Sequence, residues 1–396
     1  MLKEKIRDIA RSLQDKAVAT RRHLHANPEL SFTEVKTAAF IAAKLDALGI
    51  PYKSMANTGL VAILEGTKGP SDAVIALRAD IDALPITELN DVPYKSQSPG
   101  VMHACGHDVH TTSLLGVAEI LLQLRHEFSG RVKFIFQPGE ECIPGGASLM
   151  IREGVLQNPA PARILGQHVM PELPVGKIGM RAGRYMASAD EIYIEVYGKG
   201  GHGAMPHTTV DPVIIASHMI IAFQQIVSRN ANPTMPSVLS IGKVIADGAH
   251  NVIPDKVIID GTFRTLDETW RFDAHDRIRK LAYAIAEGMG GSCDVNIRVG
   301  YPVLINHEAL TAEVRALTEE YMGADNVVDL PIWMAAEDFA SYSQVADACF
   351  YRLGVGNAER GITSGLHTAT FDADEQSLEI GAGLMAWLAL RSLGAS

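Results

Sequence analysis

Val132-Lys133-Phe134-Ile135-Phe136-Gln137-Pro138-Gly139-Glu140-Glu141 is the stretch on which the reading of this chain turns. A short, mostly apolar run lies between Gly130 and Pro138-Gly139, which reads as a strand. Its carboxyl end is polar and acidic. The same design recurs twice. Ala73–Leu77 runs into Arg78-Ala79-Asp80-Ile81-Asp82, and Ile164-Leu165-Gly166-Gln167 runs into His168. A helix carrying Leu114, Val117, Leu121 and Leu124 stands between two of these strands. Strands alternating with helices imply an open, largely parallel sheet. Sites in such sheets lie outside the carboxyl ends of the strands, where these polar tips fall.

Outward from this core, residues 1–26 read as one amphipathic helix, broken by Asn27-Pro28. Ser31-Phe32-Thr33-Glu34 has a capping-box pattern, and the helix behind it reaches Leu48 before Gly49. Leu60–Leu64 is a further strand. Past Gly183 the pattern changes. Strand Glu191–Val196, helix Asp211–Ser228, strands Val238–Val244 and Lys256–Thr265, helix Thr269–Met289 and strand Asp294–Val299 follow in the β-α-β-β-α-β order of a ferredoxin-like unit. Alternation then resumes with helix Ala309–Tyr321, strand Cys349–Leu353 and helix Ser377–Leu393. The expected organisation is an α/β catalytic domain (1–184 and 301–396) interrupted by a ferredoxin-like domain (185–300).

The 396 residues, 47% hydrophobic and 20% charged, suit a globular protein of two or three domains. A net charge of −11 and the lack of a basic block exclude a nucleic-acid footprint. No apolar run reaches the roughly 18 residues that span a membrane. The charged start, Met1–Asp8, lacks a signal peptide's apolar centre, so a cytoplasmic location is expected. The cysteines at 105, 142, 293 and 349 are too scattered for a disulfide framework.

Met102-His103-Ala104-Cys105-Gly106-His107-Asp108-Val109-His110 holds three histidines, a cysteine and an aspartate. These are the side chains that bind divalent transition metals. Such close neighbours cannot complete a site, so further ligands must come from elsewhere. A Glu-Glu pair is usually a solvated turn, but Glu140-Glu141 sits at a strand's carboxyl end. Adjacent side chains point apart, so one can bind metal while the other serves as general base toward water. His168 and His367 would each pass for ordinary loop histidines alone. Together Cys105, His107, Glu141, His168 and His367 suit two metal ions. Asp108 is read as a helix cap, His103 and His110 as support, and His23 and His25 carry no assigned role.

The chain resembles the aminoacylase/carboxypeptidase family of dinuclear metallohydrolases, in its hippurate hydrolase and auxin-conjugate hydrolase branch. The matching segments are Arg22–His25 through Pro28-Glu29-Leu30, Ala76–Pro85, Met102–His110, Gln137–Glu141, Gly201–His207 and Leu366-His367, which span nearly the whole sequence. The resemblance implies those five metal ligands, Glu140 as general base and Asp80 beside the site. Many relatives carry a histidine ligand two residues before that aspartate. This chain has Arg78 there, and Cys105 takes the missing ligand's place. The resemblance also implies that His202 stabilises the carbonyl oxyanion, that Asn251 and Arg264 hold a substrate carboxylate, and that the inserted domain serves dimerisation and lid closure. The cofactors expected are two divalent ions (zinc, manganese, nickel or cobalt).

The expected activity is metal-dependent hydrolysis of small N-acyl amino acids, hippurate-like or N-acetylated, by a homodimer or homotetramer. Dipeptidase or carboxypeptidase action, or deacetylation of an acetylated diamino acid, would use the same machinery. A metal-free reading makes Cys105 a nucleophile, but leaves Glu140-Glu141, His168 and His367 without a task. A non-catalytic binding protein would have no need of Glu140.

Overall fold

The computed structural model describes residues 1–395, which form two compact units. The first comprises Met1–Gly183, Ile305–Pro331 and the chain from Asp338 onward; the second comprises Arg184–Leu304 and Ile332–Glu337.

The first unit is built on an eight-stranded sheet. Its order is Tyr52–Met55, Gly59–Glu65, Arg131–Gln137, Val74–Asp80, Arg163–Pro174, Asp347–Gly356, Ile178–Met180 and Val327–Asp329. The three strands with polar tips lie side by side at its centre and run parallel. The sheet as a whole is mixed rather than largely parallel, because Gly59–Glu65 pairs antiparallel with both of its neighbours and Ile178–Met180 runs against Asp347–Gly356. The hairpin at one edge turns through Ala56 and Asn57, both at positive φ (48° and 68°). Alanine in that conformation carries no sequence signal, so the strand before it was not foreseen.

Central strands bury both faces. Leu77, Phe134, Leu165 and Leu353 join one apolar core with Val109, Leu114, Val117 and Leu121 of helix His107–Gln123 and with Leu384 and Leu388 of helix Gln376–Ser392. Each such side chain contributes about 1.5–3 kcal/mol. This packing fixes the carboxyl edge of the sheet against the first turn of helix His107–Gln123.

Several local expectations change. The first helix is two, Leu2–Ser12 and Gln14–Ala26, with an irregularity at Leu13. Glu34 does not close a capping box. It is buried and accepts from Phe32 N (2.9 Å), Gly139 N (2.8 Å) and Thr58 Oγ1 (2.6 Å), which ties it to the Pro138-Gly139 turn. Asp108 caps nothing; Gly106 is the N-cap residue, and Asp108 is buried in an ion pair with Arg21 (2.8 Å) and His25 (2.9 Å). His25 also reaches Glu88 (3.2 Å), so that histidine holds the helix base in place.

In the second unit the strand order is Ser237–Ala246, Lys256–Thr265, Asp190–Tyr197 and Ser292–Val299, with every neighbouring pair antiparallel. That is the ferredoxin-like arrangement. Ile192, Ile194 and Val196 alternate inward and meet Ile215, Met219 and Phe223 of helix Pro212–Gln225 and Ala274, Ile278 and Ala282 of helix Glu268–Gly288. Asp211 and Asp267 cap these helices through backbone N–H groups.

Candidate metal centre

The strand tips and one helix N-terminus bring chemistry-bearing side chains into a buried cluster. Gly106 makes this possible. Its φ is +79°, and a Cβ there would stand 2.4 Å from Val169 Cγ2. Only glycine lets the backbone turn between Cys105 and His107 while lying against the strand that carries His168. His168 does not end its strand; the strand runs on to Pro174.

Three imidazoles converge. His107 Nδ1 is 2.9 Å from the Asp82 carbonyl and 3.2 Å from its carboxylate. His168 Nδ1 is 2.7 Å from the Val169 carbonyl. A carbonyl only accepts, so each Nδ1 carries a proton and Nε2 is the nitrogen turned toward the cluster. His168 Nε2 lies 3.4 Å from Cys105 Sγ. His367 Nε2 lies 3.3 Å from the same sulfur and 3.2 Å from Glu141 Oε1. His367 has φ +60°, a strained conformation for a bulky residue, and its N–H is held by the Ala104 carbonyl at 2.8 Å. That bond aims a ring from a distant loop at Cys105.

Acidic groups surround these donors. His107 Nε2 is 3.9 Å from Glu141 Oε1 and 3.7 Å from Asp80 Oδ2. Asp80 is engaged elsewhere, by Arg78 Nη1 (2.6 Å) and His110 Nδ1 (2.6 Å), and His110 Nε2 accepts from Val169 N (2.8 Å). Asp82 Oδ2 accepts from Glu141 N (3.0 Å) and Ser31 Oγ (2.6 Å). Asp82 was passed over in the sequence although it continues the alternation Arg78, Asp80, Asp82. It orients His107 and the Glu141 backbone together.

The electrostatics call for added positive charge. Burial opposes a charged imidazole, yet Asp80, Asp82 and Glu141 pull His107 up to about 10. Burial, reinforced by Glu141, Glu140 and Asp80, pushes the Cys105 thiol well above its ordinary value. Burial, with Arg352 and His110 nearby, holds His168 well below the usual imidazole range. A reactive cysteine nucleophile needs an electropositive setting, and Cys105 has the opposite one. Divalent cations would take the place of the protons on His107 and Cys105. Two atoms test the fit: His107 Nε2 is sealed from solvent with no hydrogen-bond partner among the described residues, and Glu141 Oε1 is likewise sealed, with the His367 ring nitrogen 3.2 Å away but not aligned as a hydrogen bond. Cys105, His107 and His168 form one group able to hold an ion, and Cys105, Glu141 and His367 another. The donor set of thiolate, imidazole and carboxylate fits first-row divalent metals.

The second unit holds the other candidates. Gly201-His202 pairs with Val252-Ile253, and Gly203 N bonds to the Asn251 carbonyl (2.8 Å), which places His202 and Asn251 on one two-stranded ribbon. His202 is exposed, and its Nδ1 accepts from Ala204 N (3.0 Å), so its Nε2 carries a proton to donate. Arg264 lies near the end of Lys256–Thr265, half-buried, with Nη1 3.2 Å from the Met334 carbonyl.

A parallel-centred sheet with a buried cluster of thiol, imidazole and carboxylate groups at its carboxyl edge fits a metal-dependent hydrolase. The chain belongs to the peptidase family M20/M25/M40, whose model matches residues 76–391. It is 43% identical over 309 residues to an N-acyl-L-amino acid amidohydrolase of Geobacillus stearothermophilus, covering 78% of this chain and 82% of that one. It is 36% identical to thermostable carboxypeptidase 2 of Saccharolobus solfataricus, covering 98% of each. Among solved structures it resembles the Bacillus subtilis YXEP protein, a dinuclear metal binding peptidase of the M20 family. That match has a TM-score of 0.83 and 34% identity, over 98% of this chain and all (100%) of that one.

Proposed function

We propose that this protein is an N-acyl-amino-acid amidohydrolase, cleaving the amide of a small N-acyl amino acid to a carboxylic acid and a free amino acid. The observation that carries the reading is the division of labour in Glu140-Glu141. Glu141 Oε1 faces His107 and His367. Glu140 is buried and has its Oε1 3.3 Å from the Asp338 N–H, a backbone partner that sets it apart from Glu141 although both carboxylates border His107. Cys105, His107, Glu141, His168 and His367 are the residues proposed to hold two divalent ions, drawn from zinc, manganese, nickel and cobalt. Those ions would supply Lewis acidity toward water and the amide carbonyl.

The remaining steps fall to the chain's own groups. Glu140 takes a proton from the attacking water and returns it to the nitrogen as the C–N bond breaks. His202 donates its Nε2–H to the oxygen on which negative charge develops. Arg264 and Asn251 bind the free carboxylate of the substrate, a task matched to the guanidinium fork. Asp80 holds His110 and faces His107 without leaving its ion pair with Arg78.

Glu140→Gln tests this directly. Turnover should fall at least about 1,000-fold, the scale of losing a general base or more, while metal content stays at the wild-type value. Full activity in that variant would remove Glu140 from the role. Benzoyl-, acetyl- and aminoacyl-amino acids then separate the readings, because preference for aminoacyl substrates would favour a dipeptidase or carboxypeptidase.

A further inference from the structure

The Asp338 side chain has no place in the reading so far, yet it is fully buried and bonded by several donors. Its Oδ1 accepts from Arg78 Nη2 (2.7 Å) and Gln137 Nε2 (2.9 Å). Its Oδ2 accepts from Gln137 Nε2 (2.8 Å) and Ala147 N (2.9 Å). Although it lies within reach of Glu140 and Glu337, its two oxygens are already held by Arg78, Gln137 and Ala147. Its partners are instructive. Gln137 ends the strand that leads into the Glu140-Glu141 loop, and Ala147 lies in the first turn of the helix that follows it. Gly146 N also bonds to the Gly139 carbonyl (3.1 Å), so the loop is closed at its neck. Asp338's own backbone N–H then reaches Glu140 Oε1.

Arg78 completes the device. Its guanidinium is buried and three-pronged, with Nε on Gln137 Oε1 (2.9 Å), Nη1 on Asp80 and Nη2 on Asp338. One rigid fork therefore locks the tips of two strands to the segment that contacts Glu140.

We propose that Asp338, held by Arg78, is a positioning residue that fixes the Glu140 carboxylate toward the attacking water. The proposal rests on the general-base reading of Glu140. Arg78 thus has a function of its own: it substitutes for no ligand and sets the geometry of the base. Misplacing a catalytic group by about 1 Å can cost about 100-fold in rate.

The test is Asp338→Asn in the metal-loaded enzyme. Whichever way the amide turns, its NH2 confronts donors that now meet an acceptor. The expected result is a kcat about 100-fold lower, with KM and bound metal within about twofold of wild type and the visible spectrum of the cobalt form unchanged. Arg78→Lys, which keeps the charge but loses the fork, should show the same split and decides the matter if Asp338→Asn does not fold. Wild-type kcat in either folded variant, or a loss that tracks metal release or a raised KM, overturns the proposal. An inactive Glu140→Gln beside a fully active Asp338→Asn would defeat this inference alone. An active Glu140→Gln would defeat the general-base reading beneath it.

Discussion

His367 Nε2 stands 3.3 Å from Cys105 Sγ, although the two residues are 262 positions apart in the chain. The sulfur is thereby shared between two groups of donors, one with His107 and His168 and the other with Glu141 and His367. Removing it should disturb both ions at once. Cys105→Ala is expected to lower bound metal from two ions toward less than one. Outer partners of a metal ligand already cost about 10–100-fold in affinity, so loss of the proposed direct ligand should cost more. Metal analysis after dialysis measures it, and two retained ions would contradict the shared role.

Gly106 lets the Cys105–His107 turn approach Val169. Gly106→Ala should destabilise the fold by about 1–3 kcal/mol through its positive φ alone, with the 2.4 Å clash adding to it. Denaturant unfolding of the metal-free protein gives the stability. The same variant should bind metal more weakly, because the turn that sets the ligand spacing must shift.

His202 and Arg264 should fail in different ways. On the proposed roles, His202→Ala would remove a donor to the developing oxyanion and is expected to lower kcat about 100–1,000-fold. Arg264→Lys would replace the proposed two-pronged grip with a point charge, so KM should rise while kcat changes little. Steady-state kinetics on one N-acyl amino acid separates the two. Neither substitution should change metal content.

The second unit has its own acid sensitivity. Asp190 is buried and bonded by Arg271 Nε (2.9 Å), by His275 Nε2 (2.7 Å) and by Gly300 N (3.1 Å). Burial alone would raise its pKa, but bonds from Arg271 and His275 bring it below the usual carboxylate value. A depressed folded pKa contributes stability that is present above the unfolded pKa, near 4, and is lost as pH falls through the folded value. Asp190→Asn should therefore weaken the protein near neutral pH by up to about 3–5 kcal/mol, since it takes the bidentate carboxylate from a buried guanidinium and leaves Glu268 as its counter-charge. It should also flatten the acid limb of the stability curve. Thermal unfolding between pH 7 and pH 3 checks both, and an unchanged acid limb would contradict the linkage.

Much of this molecule was legible in its residues. The strand Arg131–Gln137, the strand Val74–Asp80 and the long helices announce themselves because burial on a regular backbone imposes a period on the apolar residues. Glycine and proline mark their ends. The candidate ligands were legible for a different reason: cysteine, histidine and paired glutamates at strand ends have chemistry that a plain core does not use. The edge hairpin through Ala56 and Asn57 was not, since its strands are short and its turn residues ordinary.

What the sequence by itself determined was local: which segments bury a face, which residue types could bind metal, and the branch signalled by Cys105 beside an arginine at position 78. Tertiary structure alone decided who meets whom. Asp108 looks like a helix cap in sequence and becomes the partner of Arg21 and His25. Asp82 orients His107, and Asp338 joins Arg78 to Glu140 across more than half the chain. The physical reason is common to all three. A buried charge must find its counter-charge in space, and which one it finds depends on how sheet and helix pack, a fact no local pattern of residues records.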